Sequence, residues 1–589
     1  MDTTDLELTD MDRHFADFVC RLADSRDQFL WNAAASVSNA TGRGNVCLDL
    51  ATARDEEGTA TELERLRSFP VIGSPGAAAP LILDRAGRLY LHRYWEYEAR
   101  LAAALLALGR EECAVDEELL REGVRRLFPH PPIAEVDWQR IAALVAVCRR
   151  FAVISGGPGT GKTSTVVKVL ALLVEQAAGE RLHVALAAPT GKAAARLRES
   201  IRAAKEGLAT SPAIRDRIPE EVATIHRLLG YNPRSGGFRH SRENPLPVDA
   251  VVVDEASMVD LPLMARLVDA LPAGGRLILL GDKDQLASVE AGAVLGDICD
   301  TGQVHAFSAP FRERVERLSG ERLPVVDAEK TASLSDSLVV LTRSYRFGGG
   351  SGIGELARLV NEGRGEDALA LLKGEAFGDI RWHGLPTETE MAERLRGPVV
   401  AGYGEFRAAD EPAQALEALG RFRILCAHRH GPYGVTGLNA ATEQILGCQA
   451  ATGGDWYPGR PVMVAENDYT IGLFNGDTGI ILPDPDGSER LYAFFPDAAG
   501  GVRRHLPLRL PGHGTVFAMT VHKSQGSEFD RILVVLPDRT SEIVTRELIY
   551  TAVTRARHGV EIWGREELFV EAASRRVGRS SGLRDLLWG

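Results

Sequence analysis

The sequence predicts an α/β protein whose central part is a doubly wound domain built on a parallel sheet. Three observations support this fold class. An apolar run, 151–155, leads into a glycine-rich loop and then into a helical stretch. Apolar runs that suit buried parallel strands alternate with helical stretches from residue 150 to about 300. Two later apolar runs, 248–253 and 276–280, end in polar residues, and ligands bind at the carboxyl ends of parallel strands.

The composition is typical of a globular protein with several domains. The chain has 589 residues, of which 45% are hydrophobic, and this length suits roughly three or four domains. Its longest apolar runs, such as 101–108, fall well short of the roughly 18 residues of a membrane-spanning helix, and the N-terminus has no basic-then-apolar leader. The seven cysteines are scattered without a Cys-x-x-Cys pair. We therefore expect a cytoplasmic protein that does not contact a membrane.

The negative charge is concentrated at the N-terminus. The net charge of the chain is −13, and residues 1–64 contain 14 Asp and Glu against 5 Arg. The remaining 525 residues are therefore nearly neutral. A negatively charged protein is a poor partner for nucleic acid in general, but this distribution leaves room for basic grooves beyond the N-terminal segment.

The glycine-rich loop has the spacing of a phosphate-binding loop. The pattern G-x-x-x-x-G-K-[ST] is met by Gly156, Gly161, Lys162 and Thr163. Glycines let backbone N–H groups approach a β-phosphate, and the next helix adds the positive end of its dipole. Lys162 would bridge the β- and γ-phosphates, while the Thr163 hydroxyl would bind Mg²⁺. The residues predicted to bind ATP in this loop are Gly156, Gly157, Pro158, Gly159, Thr160, Gly161, Lys162 and Thr163.

The two later strands end in groups that suit ATP hydrolysis. Asp254 and Glu255 follow the first of them. Asp254 can hold Mg²⁺ through its water shell, and Glu255 can orient and deprotonate the attacking water. Gln285 follows the second strand, where its amide can contact the γ-phosphate and report whether it is present.

Three other features each allow two interpretations. Gln139, just before the loop strand, can pair with N6 and N7 of adenine, or it is an ordinary surface residue. Thr190 follows a strand at 182–188 and either binds phosphates of a polymer or simply caps a helix. The basic segment 231–247 is either a hairpin that touches nucleic acid or a solvated loop.

Taken together, the phosphate loop and the two strand ends resemble the motifs of superfamily 1 helicases. Four further stretches, 341–347, 426–435, 519–526 and 550–557, resemble those of the RecD family, the subunits of bacterial RecBCD enzymes (exodeoxyribonuclease V). The resemblance covers nearly the whole chain and is most specific at 139–300 and 515–560. Residues 312–336 match no motif of this family.

The resemblance implies an ATP-driven, 5′-to-3′ single-strand DNA motor with two RecA-like domains. The first would span 135–335, with the basic hairpin at about 231–247. The second would span 336–589 and carry a small SH3-like β-barrel insertion at about 460–511, where the sequence is turn-rich and β-patterned. Residues 1–130 would form a mainly helical N-terminal domain that docks onto a partner.

The resemblance also implies roles for residues far from the phosphate loop. Arg346 and Arg555 would reach across a cleft and stabilise charge that develops on the γ-phosphate. Contacts to phosphates carry no sequence information, so translocation would be largely independent of sequence. The residues in motifs that contact the DNA backbone are Thr190, His226, Thr520 and His522.

The expected function is that of a helicase subunit that unwinds and processes double-strand DNA ends for recombinational repair. It would act on single-stranded DNA at duplex ends, in a heterotrimer with RecB-like and RecC-like subunits, and the nuclease would lie in another subunit. One alternative is a free-standing superfamily 1 helicase; another is a P-loop regulatory ATPase that binds protein partners without DNA. The acidic N-terminus disfavours the first alternative, and the motifs after residue 500 disfavour the second.

Overall fold

A computed structural model describes most of the chain. The predicted boundary residues Pro131 and Pro132 lie outside the described residues. The described ranges are 7–50, 56–129, 135–177, 179–302, 305–325, 334–348, 350–448, 456–468, 470–484, 490–497 and 501–589.

The N-terminal domain packs helices against a small sheet and is mainly helical, as predicted. Its elements are α1 Asp10–Leu22, α2 Gln28–Gly42, β1 Cys47–Asp49, α3 Glu56–Arg67, β2 Ile72–Gly73, β3 Leu81–Leu83, β4 Arg88–Leu91, α4 His92–Arg110 and α5 Glu117–Leu127. The first helix begins at a capping box, in which Thr9 and Asp12 satisfy each other's backbone N–H groups. The sheet order is β1-β4-β3-β2. Residues from α1, α2 and the sheet, including Val19, Leu30 and Leu81, form the core of this domain.

The first α/β domain is a six-stranded parallel sheet with helices on both faces. Its elements are α6 Trp138–Cys148, β5 Phe151–Gly156, α7 Lys162–Gln176, β6 Val184–Ala188, α8 Gly191–Glu206, α9 Pro212–Arg217, β7 Val222–Thr224, α10 Ile225–Leu228, β8 Tyr231–Asn232, β9 Gly237–Phe238, β10 Ala250–Val253, α11 Leu261–Asp269, β11 Arg276–Gly281, α12 Val294–Cys299, α13 Ala309–Ser319 and β12 Leu338–Leu341. The order is β12-β5-β11-β10-β6-β7, with every neighbouring pair parallel. β5 and β10 are buried along their whole lengths, which explains their unbroken apolar sequences.

The first sheet extends beyond the boundary predicted between residues 335 and 336. β12 pairs with β5 at its edge, so the change to the second domain comes after Leu341. Residues 312–325 and 334–336, for which the sequence indicated no role, support this sheet. The Arg140 guanidinium donates a 2.8 Å hydrogen bond to Glu321, and Arg149 donates a 2.6 Å bond to Asp336.

The second domain is also an α/β unit with parallel strands. Its elements, apart from an insertion, are α14 Gly352–Asn361, α15 Gly365–Lys373, β13 Ile380–Gly384, α16 Met391–Ala408, α17 Pro412–Leu419, β14 Phe422–Cys426 and α18 Val435–Leu446, and after the insertion β20 Ala518–Thr520, β21 Phe529–Val535, α19 Arg546–Val553, β22 Ala556–Gly564, α20 Glu566–Ser574 and α21 Leu583–Trp588. The sheet order is β13-β22-β21-β14-β20, and all its pairs are parallel. The predicted α/β class with two such domains is confirmed.

The insertion is a five-stranded antiparallel sheet that is slightly longer than predicted. Its strands are β15 Arg460–Val464, β16 Thr478–Pro483, β17 Leu491–Pro496, β18 Val502–His505 and β19 His513–Thr515. The order β18-β17-β16-β15-β19 makes the last strand an edge, so the sheet continues past the predicted end at residue 511. Among the described strands no pairing joins β18 to β19, and the SH3-like barrel shape stays a prediction.

Two helices of the N-terminal region and the C-terminal helix pack on the first α/β domain. α4 shares a core with α11, and α5 shares a core with α6 and α7, so the predicted limit at residue 130 does not separate two cores. The core of the N-terminal domain itself lies within residues 16–89. α21 leaves the second domain and packs between α4 and α12. Within the described ranges, every helix is too short or too polar to cross a membrane.

Candidate nucleotide-binding site

The predicted phosphate loop lies between β5 and α7 at the carboxyl edge of the first sheet. Gly159 and Gly161 have φ angles of 76° and 82°, a left-handed conformation that favours glycine. The Lys162 ammonium donates to the carbonyl oxygens of Gly156 and Gly157. The loop therefore curves around its own lysine, with the start of a fifteen-residue helix directly behind it.

Gln139 lies against this loop. Its amide Nε2 donates a 2.8 Å hydrogen bond to the carbonyl oxygen of Thr160, and a methyl group on Gly161 would collide with the same amide. The structure thus brings Gln139 to the predicted nucleotide-binding site, which distinguishes it from an ordinary surface residue. Its pairing with adenine stays a prediction.

Asp254 and Glu255 follow β10 beside the loop. Glu255 has a φ of 52°, which is rare for a residue with a side chain, and its N–H donates a 2.9 Å bond to Oδ1 of Asp254. The burial of Asp254 and the charge of Glu255 raise the pKa of Asp254 to about 6, whereas the nearby Lys162 lowers it. A carboxylate with a like-charged neighbour suits a bound cation.

These residues fit a magnesium ion held together with phosphates. Mg²⁺ is usually bound by one or two carboxylates, a hydroxyl and phosphate oxygens rather than by a cage of protein ligands. Thr163 stands in the first turn of α7, next to Lys162, and Lys162 is close enough to influence Asp254. In the described part of the chain, no group of three or more His, Cys, Asp or Glu is arranged to hold a metal.

Gln285 lies in a loop of the first domain that contacts the second domain. Its amide donates a 2.9 Å bond to Oδ2 of the buried Asp282, and Lys162 is close enough to oppose the rise that burial causes in the pKa of Asp282. The next residue, Leu286, is held by the second domain on both sides. Its N–H donates to Oγ1 of Thr551 at 2.9 Å, and its carbonyl oxygen accepts from Gln525 at 2.8 Å.

Both predicted arginines reach the same cleft. The N–H of Tyr345, next to Arg346, donates a 2.8 Å bond to the carbonyl oxygen of Gly159, and a methyl group on Gly159 would collide with Cβ of Arg346. Nη1 of Arg346 is buried and has no hydrogen-bond partner. Arg555 is buried, donates to carbonyl oxygens of the second domain, and is near enough to Glu255 for that carboxylate to raise its pKa against the effect of burial.

Three family models match different parts of this chain. Residues 139–291 match a model described as an AAA domain, and residues 515–562 match a UvrD-like helicase C-terminal domain. Residues 6–90 match the N-terminal domain of the RecBCD enzyme subunit RecD.

Similar proteins cover almost the whole chain. It is 40% identical over 593 residues to the RecBCD enzyme subunit RecD of Mycobacterium tuberculosis, which covers 97% of this chain and 94% of that protein. The chain belongs to the RecD family. A RecD subunit from Mycolicibacterium smegmatis is 39% identical, with 98% of this chain and 97% of that protein covered. The predicted family and the predicted class of enzyme, a helicase, are confirmed.

Other helicases are similar over less of their length or at lower identity. The ATP-dependent RecD2 DNA helicase of Deinococcus radiodurans is 30% identical, and the match covers 89% of this chain but 62% of that protein. A solved structure of Pif1 helicases at forked DNA is 17% identical with a TM-score of 0.40, and the match covers 74% of this chain and 94% of that chain. The latter similarity is too weak to bear on function.

The predicted DNA contacts in the first domain of this RecD-family chain lie at its surface. Thr190 caps α8 by accepting from the N–H of Ala193 at 3.2 Å, so the capping interpretation is correct, and a phosphate contact stays a prediction. The hairpin is shorter than the predicted 231–247, because only β8 and β9 pair. His226 packs beside its aromatic side chains, with ring centroids 5.6 Å from Tyr231 and 5.8 Å from Phe238.

The predicted DNA contacts in the second domain lie near the insertion. Thr520 ends β20, and its hydroxyl accepts from the N–H of Lys523 at 3.3 Å. His522 is half-buried, and both burial and Arg579 lower its pKa. Lys523 in turn donates a 2.7 Å bond to Asn475, which belongs to the loop between β15 and β16.

Sequence reasoning missed several polar groups around these sites. A cleft of about 320 Å³ at the carboxyl ends of β14 and β21 is lined by His428, Arg429, His430 and Arg539. The stretch 426–435 resembles a family motif, but the sequence alone indicates no role for its basic side chains. Glu528, Tyr550 and Gln525 were missed as well, because each contacts a residue of the first domain: Arg196, Asp282 and Leu286, respectively.

Proposed function

We propose that this RecD-family chain is the 5′-to-3′ single-strand DNA motor of a RecBCD-type complex, which unwinds and processes double-strand DNA ends for recombinational repair. The observation that carries the proposal is the convergence of five groups in one cleft. The phosphate loop, Asp254 and Glu255, and the Gln285 loop come from the first domain, while Arg346 and Arg555 approach from the other side. An ATP site shared by two domains is a site that can drive their movement.

Each residue of the site has one part in ATP hydrolysis. Bound MgATP supplies the phosphoanhydride bond that is broken. The N–H groups of the loop and Lys162 would bind the β- and γ-phosphates, and Thr163 and Asp254 would hold Mg²⁺. Glu255 orients the attacking water and takes its proton.

The arginines act on charge that develops during the reaction. Nη1 of Arg346 is a buried donor without a partner, so it can bind an oxygen of the γ-phosphate without first breaking another hydrogen bond. Arg555 adds a second positive charge close to Glu255. Gln285 reports the state of the γ-phosphate to the second domain through Leu286.

DNA movement follows from the two sets of backbone contacts. Thr190 and His226 belong to the first domain, and Thr520 and His522 belong to the second. Closure of the cleft around ATP would shorten the distance between the two sets, and its opening would lengthen it. Because these contacts are to phosphates, the motor would move along DNA of any sequence.

The exposed face of α1 suits a protein partner. Met11, Phe18 and Leu22 are 74%, 50% and 54% exposed, and their spacing places them on one side of the helix. This segment is negatively charged, which disfavours DNA as its partner. We propose that it docks onto a RecC-like subunit, and that a RecB-like motor-nuclease completes a heterotrimer in the cytoplasm.

The aromatic residues Phe15, Phe18, Trp31, Tyr94 and Trp95 could each anchor a partner, but four of them serve the fold. Tyr94 is 8% exposed, and Trp95 is partly buried against the core that α4 shares with the first α/β domain. Phe15 and Trp31 are partly buried against the core of the N-terminal domain. Phe18 is thus the one aromatic residue of that set that is available to a partner.

The proposal is tested by co-expressing the chain with the RecB-like and RecC-like proteins of its own organism. We expect the three to co-elute, and we expect single-stranded DNA to raise ATP turnover. Strand displacement should require a 5′ overhang when the RecB-like motor is inactivated. ATP turnover that does not respond to DNA would contradict a motor function, and displacement from 3′ overhangs would contradict the direction.

A further inference from the structure

Glu528 holds three arginines with one carboxylate. Its Oε1 accepts a 2.6 Å bond from Nη2 of Arg346 and lies 2.5 Å from Nη2 of Arg196. Its Oε2 accepts from Arg557, with a distance of 3.1 Å to Nη2. The Glu528 side chain is 12% exposed; burial raises its pKa, but the guanidinium groups of Arg196 and Arg346 outweigh this effect and lower the pKa to about 2. It is therefore ionised at any pH at which the protein works.

The three arginines come from different parts of the motor. Arg196 lies on α8, the helix that Thr190 caps, and it also donates a 3.2 Å bond to the carbonyl oxygen of Gly526. Arg346 lies in the segment that passes from the first sheet to the second and touches the phosphate loop. Arg557 is in β22 and is half exposed. One carboxylate thus connects the proposed DNA-binding helix to the proposed γ-phosphate arginine.

The geometry of Arg346 depends on this contact. A guanidinium group is planar and rigid, so a bond at Nη2 also fixes the direction of Nη1. Nη1 is the buried donor that has no hydrogen-bond partner. Because Arg196 and Arg346 bind the same oxygen, Oε1, a shift of α8 changes the position of the oxygen that orients Arg346.

We propose that Glu528 is a positioning residue that orients Arg346 towards the γ-phosphate and, through Arg196, makes that orientation depend on DNA bound at α8. This rests on the proposed roles of Arg346 and Thr190. A carboxylate that only held the domains together would affect stability and nucleotide binding alike. A positioning carboxylate acts on turnover in the presence of DNA.

The test compares Glu528→Gln with variants of two of its partners, Arg557 and Arg346. It uses the full-length chain, with a single-stranded oligonucleotide as the DNA. We expect Glu528→Gln to lower the DNA-stimulated kcat about tenfold or more, while KM for ATP stays within about threefold. Arg557→Gln is the matched control, because this half-exposed arginine binds the same carboxylate and its other ion pair is to Asp530 within the second domain; its kcat should stay within about twofold of wild type.

A double-mutant cycle decides whether Glu528 acts through Arg346. If it does, the variant with both Glu528→Gln and Arg346→Gln loses no more activity than Arg346→Gln alone. Losses that multiply would overturn the proposal, as would an equal effect of Glu528→Gln on kcat and on KM. If Glu528→Gln does not fold, the same cycle with Arg196→Gln and Arg346→Gln decides in the same way. A wild-type chain whose ATP turnover ignores DNA would instead refute the proposed function.

Discussion

The phenol of Tyr550 donates a 2.9 Å hydrogen bond to Oδ2 of Asp282 from across the cleft between the two domains. The same oxygen accepts from the amide of Gln285. A methyl group on Gly157 would lie 2.9 Å from the phenolic oxygen, so Tyr550 also lies over the phosphate loop. A single side chain of α19 therefore touches both the predicted phosphate loop and the Gln285 loop, which we propose responds to the γ-phosphate.

Tyr550→Phe should weaken the coupling between ATP hydrolysis and the movement of the two domains. The ring stays in place, but the buried Asp282 loses a donor, which costs about 1–3 kcal/mol in the closed arrangement. We expect the DNA-stimulated kcat to fall about three- to tenfold. The control is Tyr403→Phe, whose buried hydroxyl donates to the carbonyl oxygen of Phe517 within the second domain. That change should lower the melting temperature without lowering kcat, and equal effects of both changes on kcat would contradict a specific role for Tyr550.

Lys162→Gln should abolish DNA-stimulated ATP hydrolysis and leave the fold intact. The substitution removes the ammonium group at the position where the charge of the β- and γ-phosphates must be neutralised. Circular dichroism and a steady-state ATPase assay measure the two outcomes. Lys373→Gln, which breaks an exposed ion pair with Glu566, is the control and should behave as wild type. Turnover of Lys162→Gln within about tenfold of wild type would refute the site.

Arg555→Ala should reduce hydrolysis more than nucleotide binding. The guanidinium acts mainly on charge that appears in the transition state, so kcat should fall by about a hundredfold or more while nucleotide affinity changes only a few-fold. The measurement is kcat together with the dissociation constant of a fluorescent ATP analogue. Arg557→Ala, at an exposed position two residues later, should change neither quantity by more than about twofold. An equal loss in kcat and in affinity would make Arg555 a binding residue only.

Asp254→Asn should stabilise the nucleotide-free fold while abolishing hydrolysis. The pKa of Asp254 is raised to about 6 in the folded chain, so stability is lost as the pH rises from the unfolded pKa near 4 to the folded pKa, and the full cost is present above about pH 6. The substitution removes this cost, by about 1–3 kcal/mol at pH 7.5. The gain should be about half as large at pH 5 and should disappear below the unfolded pKa near 4. Thermal unfolding at the two pH values tests this, and a gain that is independent of pH would refute the assignment.

Phe18→Asp combined with Leu22→Asp should prevent assembly without affecting the motor. Both side chains are exposed on α1, so their loss leaves the cores of the chain unchanged. Recovery with the RecC-like partner should fall at least about tenfold, and DNA-stimulated ATPase of the isolated chain should stay at the wild-type level. Val400→Asp, at an equally exposed apolar position on α16, is the control. Normal assembly of the double variant would mean that another surface binds the partner.

Substitution at α1 is a sharper test than removal of residues 1–130. α4 and α5 contribute Leu101, Leu105, Leu120 and Val124 to cores that also contain the first parallel sheet. A truncated chain would expose those cores, so its failure to assemble would say nothing about docking.

The sequence predicted the parts of the site in which a short segment determines its own geometry. Gly159 and Gly161 could be assigned because a turn with positive φ needs glycine, and Asp254 because a continuous apolar strand precedes it. The partners of Glu528 and Tyr550 could not be predicted, since they depend on how two domains face each other. The edge strand β12 was placed in the wrong domain for the same reason, because four apolar residues do not show which sheet they join.

The return of the C-terminus gives the two domains a second connection. The chain passes from the first sheet to the second through residues 342–351, and it comes back through 575–582 before α21 packs beside α4 and α12. Arg579 fixes this return by donating to the carbonyl oxygens of Glu290 and Gly292. Two domains that are connected at two separate points rotate most easily about the line through both connections. We therefore expect the second domain to rotate about the line through these two connections when the proposed ATP cycle opens and closes the cleft.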